Sequence, residues 1–245
     1  AAQIPEIERI FWFDGENGAE TLLHMNLTEK ELGKITLFSI PDTRDNPRFI
    51  ETVLKAFSSK NPIAIKICDA HGKVACVDCA KDPEKTYSEF YMPVLTKKDL
   101  VVIDSGSQLG DSALAMAMAG KDVTAKPGWD EYGLQTKWLS DILSIMQACY
   151  YTNFVMITHV IPIEEEMNGV KRDRFFPLVG TKAMCQKVAK YFGTVIFVEI
   201  KMGKHTAGSS SLYKSDATTG SRTNAKIEAG KELNMKAILV EGGIL

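Results

Sequence analysis

Three apolar runs in the chain end in groups able to bind a cation or handle a proton. Ile10-Phe11-Trp12-Phe13 runs into Asp14-Gly15-Glu16, Val101-Val102-Ile103 into Asp104-Ser105, and Phe154-Val155-Met156-Ile157 into Thr158-His159. A short run rich in β-branched and aromatic residues reads as a strand buried on both faces, so the polar residue that closes it lies at the carboxyl edge of a sheet. Open α/β sheets gather their ligands at that edge, where an Asp can hold Mg²⁺ through water. Asp104 is the candidate for that task, with Ser105 beside it. One such run alone would be a core strand closing in a turn; three in one chain point to a shared site.

A second constellation, Cys68-x-x-His71 followed by Cys76-x-x-Cys79, puts four soft or borderline ligands within twelve positions. Three thiolates and an imidazole suit tetrahedral Zn²⁺, and four protein ligands leave no open position, so the metal is expected to be structural. Gly72 fits the tight turn after His71, and Lys66, Lys73 and Lys81 offset the thiolate charge. The short spacer requires the second pair to fold straight back on the first. Free thiols in a surface hairpin are the plainer alternative, whereas a redox Cys-x-x-Cys is disfavoured because no thioredoxin-like helix follows Cys76.

Lys171-Arg172-Asp173-Arg174-Phe175-Phe176 combines three cations, which neutralise phosphates, with two rings, which stack on bases. That is the usual recipe for a single-stranded nucleic acid. Glu164-Glu165-Glu166 blunts it, and a hairpin with charged tips and a buried Phe pair would account for the same residues.

The elements that must position these groups alternate between strand and helix. Ile35 to Ile40 reads as a strand and Phe49 to Phe57 as a helix, with Pro47 just before it and apolar residues at 49, 50, 53, 54 and 57. Residues 63–93, rich in Cys, Gly and Pro, interrupt the scheme as an insertion before Leu100 to Asp104 restores a core strand. Trp129 to Cys149 predicts a long helix with Asp130 as N-cap and Leu134, Trp138, Ile142, Ile145 and Cys149 on its buried face. Thr181 to Phe192 predicts another helix closed by Gly193, and Val195 to Ile200 another strand. From 201 to 226 small polar residues around Tyr213 read as a hairpin or loop.

With 45% hydrophobic and 24% charged residues, the 245-residue chain can bury the core of one large α/β domain. The formal charge of −2 gives no global attraction to nucleic acid, so any such contact must be local. No apolar stretch approaches the ~18 residues of a membrane span, and no charged-then-apolar leader opens the chain, which makes the cytoplasm the expected compartment. Five cysteines, an odd number, argue for thiols or a metal rather than a disulfide framework.

The order of these motifs resembles the RecA-like P-loop ATPases, most closely the phage-encoded recombination ATPases of that class, from Ala1 to about Lys226. In that family an "AAQ-P" type segment, here Ala1-Ala2-Gln3-Ile4-Pro5, leads from the Walker A helix into a strand ending Asp-x-Glu. A Walker B strand ending Asp-Ser follows, then a helix after a Trp/Tyr-rich turn (Trp129, Tyr132, Gly133), a strand ending Thr-His, and a turn with Pro177 and Gly180. The resemblance implies a three-layer RecA-like core with a mainly parallel sheet, here carrying a small zinc-knuckle-like insertion. It implies ATP and Mg²⁺ bound by Asp104, Ser105 and Asp14, with Glu16 orienting the attacking water and His159 sensing the γ-phosphate; the plainer role for His159 is a capped strand end. It further implies a homo-oligomer, ring or filament, whose sites are completed in trans by Arg222 and Lys226, and single-stranded DNA as partner, in the host cytoplasm if the chain is phage-encoded. A solvated loop is the plainer reading of Arg222 and Lys226.

One departure is large. No G-x-x-x-x-G-K-[ST] occurs: each of the five Gly-Lys pairs, at 33, 72, 120, 203 and 230, lacks the earlier glycine or the following Ser/Thr. That loop supplies the N–H cradle, the phosphate-binding Lys and a Mg²⁺ hydroxyl. The expectation is a core, residues 1–245, cut just after Walker A and inactive alone. The rivals are a non-hydrolysing, zinc-stabilised DNA-binding or scaffold protein on the same fold, and a DnaB-like helicase motor.

Overall fold

The apolar runs assemble into one parallel sheet. In the computed structural model, which describes residues 1–58, 63–167, 169–207, 220–221, 227 and 231–241, the chain opens with β1 (Arg9–Asp14), α1 (Glu29–Leu32), β2 (Ile35–Ser39) and α2 (Arg48–Ala56). There follow β3 (Ile65–Cys68), β4 (Tyr87–Phe90), β5 (Asp99–Asp104), α3 (Gly106–Ala117), α4 (Trp129–Ala148) and β6 (Asn153–Ile157). The last part holds β7 (Val160–Met167), β8 (Val170–Pro177), α5 (Lys182–Cys185), β9 (Thr194–Val195), β10 (Val198–Lys201), β11 (Lys204–Ala207) and β12 (Gly220–Ser221).

The central sheet has the order β2-β1-β5-β6, and every neighbouring pair is parallel. The register aligns Asp14 with Ser39 on one side and Asp104 on the other, and Asp104 with Ile157. From β1 the chain steps outward to β2, then returns to the far side of β1 at β5. The crevice between the carboxyl ends of β1 and β5 is therefore the topological switch point, where an open sheet leaves room for a ligand.

Alternation along the strands sorts the side chains between two layers. Phe11, Phe13, Val101, Ile103, Phe154 and Met156 meet α2, α3 and α4 in the main core, where Phe13 and Phe38 have ring centroids 4.6 Å apart. Ile10, Leu100, Val102 and Val155 face the other way, onto Ala2, Ile4, Ile7, Met235 and Leu239. This double burial is why the strands read as continuous apolar runs.

Several expectations are corrected. The buried face of α4 carries Gln135, Leu139, Ile142, Leu143 and Met146, whereas Leu134 is 41% exposed. Its N-cap is Gly128 rather than Asp130, because Glu131 turns back to accept the Gly128 N–H at 2.7 Å. The helix expected over 181–192 breaks into α5 and a 3₁₀ turn at Val188–Tyr191, and the strand over 195–200 splits into β9 and β10. Helix α3 was not expected, since its opening Gly-Ser-Gln-Leu-Gly has weak helix propensity. Of the polar segment 201–226, residues up to Ala207 form the β10–β11 hairpin and β12 pairs with β9. Arg222 and Lys226 lie outside the described residues. No helix among the described residues is long and apolar enough to cross a membrane.

Candidate functional site

At the switch point Asp14 is fully buried and already committed. Its Oδ1 accepts the N–H groups of Glu16 (3.0 Å) and Gly18 (3.1 Å), and its Oδ2 accepts that of Ala19 (2.9 Å). Those bonds hold the turn after β1 and with it the backbone of Glu16. The turn is also pulled inward at Gly15, where a Cβ would lie 2.4 Å from the Phe49 ring of α2.

Glu16 then projects over the end of β5. Its Oε1 accepts the Ser105 hydroxyl and lies 3.4 Å from His159 Nε2. Ser105 serves both sides, because its Oγ also caps α3 by accepting the Gln108 N–H at 3.1 Å. The Asp104–Ser105 peptide is cis. Glu16, Ser105 and His159 thus meet although they come from three different strand ends. Burial, and then the negative charges of Asp14 and Glu16, raise the Asp104 carboxyl above its ordinary range. A cation in front of it would relieve the charge repulsion.

Residues unremarked in the sequence complete the surroundings. Asp42, after β2, accepts the Phe49 N–H (3.2 Å) and the Gln108 side-chain amide (3.0 Å). Asp111 stands one further turn along α3, its carboxyl raised by burial and by Asp42 and Glu16. The available signal was spacing: Ser105, Gln108 and Asp111 recur every third residue, but they present one face only once α3 is known to be a helix. Ser107 links the site to its neighbour. Its Oγ accepts the His159 N–H at 2.8 Å and donates to the Leu178 carbonyl at 2.9 Å, tying the root of the β7–β8 hairpin to α3.

That hairpin carries the expected nucleic-acid patch. Lys171 pairs with Glu164 and Arg174 with Glu165, each at 2.8 Å, and the Arg174 guanidinium lies 5.2 Å from the Phe176 ring centroid. Arg172 is opposite Glu165 in the register, and its side chain lies outside the described residues. The acidic triplet is therefore built into the same ribbon as the cations, and it neutralises part of the patch. Phe176 is buried while Phe175 is half-buried, packing at 6.1 Å from Phe197.

The Cys/His cluster forms as a compact group between β3 and β4. The ligand atoms of Cys68, His71, Cys76 and Cys79 all lie within 4.8 Å of one another, with His71 Nδ1 at 3.2 Å from Cys79 Sγ and 3.5 Å from Cys76 Sγ. Zn–S and Zn–N bonds of ordinary length in a tetrahedron put such atoms about 3.6–3.8 Å apart, so the group fits zinc. All three thiols are buried and none is in a disulfide. The Cys79 N–H, then His71 and the other two thiols, draw the Cys76 thiol down, while burial and the neighbouring thiols push that of Cys79 up, so only a bound metal would hold all three as thiolates. It is the one such group of three or more ligands among the described residues.

The knuckle is seated on the core. Gly72 has φ +61°, and a Cβ there would lie 2.6 Å from both the Ser39 carbonyl oxygen and Ile40 Cα. Its own carbonyl accepts the Thr52 hydroxyl at 2.7 Å, and that of His71 accepts Arg48 Nη1 at 3.3 Å. Gly72→Ala is therefore expected to cost about 1–3 kcal/mol from the strained backbone alone. Thermal unfolding measures it, and an unchanged Tm would mean that the knuckle does not bear on β2.

Comparison of the chain with protein-family models, curated proteins and solved structures finds no match.

Proposed function

We propose that the chain is the core of a RecA-like ATPase that binds Mg·ATP in the β1/β5 crevice and couples its hydrolysis to single-stranded DNA. The observation that carries this reading is the meeting of Glu16, Ser105 and His159 beside Asp104 at the sheet's switch point. Mg²⁺ would supply charge neutralisation for the phosphates. Asp104 would hold the ion. Glu16 orients a water molecule and takes its proton as the oxygen bonds to the γ-phosphorus and the bond to the β-phosphate oxygen breaks, releasing ADP and phosphate. Ser105 and His159 fix the Glu16 carboxylate. The His159 backbone also roots the β7–β8 hairpin through Ser107, so a change at the phosphate reaches the base of the ribbon that carries Lys171, Arg172 and Arg174. Arg222 and Lys226 complete the site of a neighbouring protomer in a ring or filament. The reading requires a phosphate-binding loop that residues 1–245 do not contain.

Steady-state hydrolysis and nucleotide-binding titrations test this on two chains, residues 1–245 and the same residues preceded by a G-x-x-x-x-G-K-[ST] loop. The first is expected to bind ATP poorly and not to turn it over. The second is expected to hydrolyse ATP with Mg²⁺ and to be stimulated by single strands. An extended chain that binds Mg·ATP and shows no turnover with or without DNA would leave the fold as a non-hydrolysing scaffold.

A further inference from the structure

Asp42, in the loop after β2, is half-buried and bonded to two helices at once. Its Oδ1 accepts the Phe49 N–H of α2 at 3.2 Å, and its Oδ2 accepts Gln108 Nε2 of α3 at 3.0 Å. The residue before α2 is Pro47, whose side chain cannot cap a helix. The first-turn N–H groups of α2 are therefore met from elsewhere, Phe49 by Asp42 and Ile50 by Ser112 Oγ at 3.0 Å.

From Asp42 two short routes lead to the same group. The first is steric. Phe49, whose N–H Asp42 holds, is also the residue whose buried ring lies against Gly15, where a Cβ would sit 2.4, 2.6 and 2.8 Å from three ring atoms. In a close-packed interior a shift at the start of α2 is transmitted to that turn, one residue from Glu16. The second route is hydrogen-bonded. Gln108, whose side chain Asp42 fixes, donates its backbone N–H to Ser105 Oγ at 3.1 Å, and the Ser105 hydroxyl donates to Glu16 Oε1. One route bears on the backbone beside Glu16 and the other on its carboxylate.

We infer that Asp42 is a positioning residue for Glu16, tying the starts of α2 and α3 together and so fixing the Glu16 side chain at the β1/β5 crevice. Its part is geometric. A carboxylate only accepts, so Gln108 turns its NH₂ toward Asp42. Asn at this position keeps both bonds, because its oxygen accepts the Phe49 N–H and its NH₂ donates to a Gln108 amide turned over. Asn thus preserves the tie and removes the charge, whereas Ala removes both. The placement of Glu16 is independent of what the crevice binds; the consequence for turnover rests on the ATPase reading.

Amide hydrogen exchange at Glu16, Gly18 and Ala19, whose N–H groups Asp14 accepts, reads the turn in residues 1–245. Asp42→Ala is expected to speed it about tenfold and Asp42→Asn to leave it unchanged. In the chain preceded by a phosphate loop, Asp42→Ala is expected to lower kcat about tenfold with KM for Mg·ATP within about twofold, and Asp42→Asn to restore turnover, since a displaced Glu16 weakens the transition state more than binding. Unchanged exchange in folded Asp42→Ala would overturn the inference. So would an Asn variant that behaves like Ala, which makes the charge the agent, or a raised KM with kcat intact, which makes Asp42 a nucleotide contact. Gln108→Ala cuts the hydrogen-bonded route alone and keeps the α2 cap, so it decides the matter where Asp42→Ala does not fold. A severalfold rise in the same exchange is expected, and none would overturn the tie. Absence of turnover in every extended chain would defeat the ATPase reading and leave the exchange result standing by itself.

Discussion

Cys76→Ser with Cys79→Ser is expected to release one zinc ion per chain and to weaken the whole domain, not the 63–93 insertion alone. The insertion's own cluster is small, the three cysteines with Tyr87, and its two strands join the main core. Ile67 and Phe90 are buried in the main cluster with Phe11 and Phe13, and Phe90 meets the Phe13 ring edge-on at 5.1 Å. Between them the knuckle grips α2 through Thr52 and Arg48 and presses Gly72 onto the end of β2. Helix α2 in turn presents Phe49 to Gly15 and to Asp42, so loosening the metal loosens the turn that aims Glu16. At free zinc a thousandfold above its dissociation constant, binding stabilises the native state by about 4 kcal/mol. Elemental analysis, unfolding with and without chelator, and hydrogen exchange in α2 measure the three parts. Substoichiometric zinc in protein whose thiols are demonstrably reduced would leave a cysteine-bearing hairpin in its place.

Glu16→Gln, in the chain preceded by a phosphate loop, is expected to lower kcat by at least ~10² with nucleotide affinity nearly unchanged, because holding and deprotonating the water acts in the transition state. The structure explains why the variant should fold. The Gln side-chain oxygen can still accept the Ser105 hydroxyl, and the turn is held by Asp14 through backbone N–H groups that the substitution leaves in place. Unchanged Tm with lost turnover is the expected combination. Wild-type turnover would remove Glu16 from the chemistry and leave its contacts with Ser105 and His159 as structural.

The sequence by itself determined the strands that carry the site and the ligands of the knuckle. Both are encoded in local order: an apolar run buried on two faces must end where its polar residue begins, and four ligands within twelve positions can close on one ion without help from distant chain. Tertiary structure decided the rest, because the deciding partners are remote in sequence. Asp14 and Glu16 look alike as neighbouring carboxylates, and only the fold of the following turn onto Asp14 separates the buried anchor from the accessible group. Asp42 and Gln108 become neighbours across 66 positions. That Glu164 to Glu166 blunt the basic patch was legible in sequence, but only the folded hairpin decides which charges meet, Lys171 with Glu164 and Arg174 with Glu165.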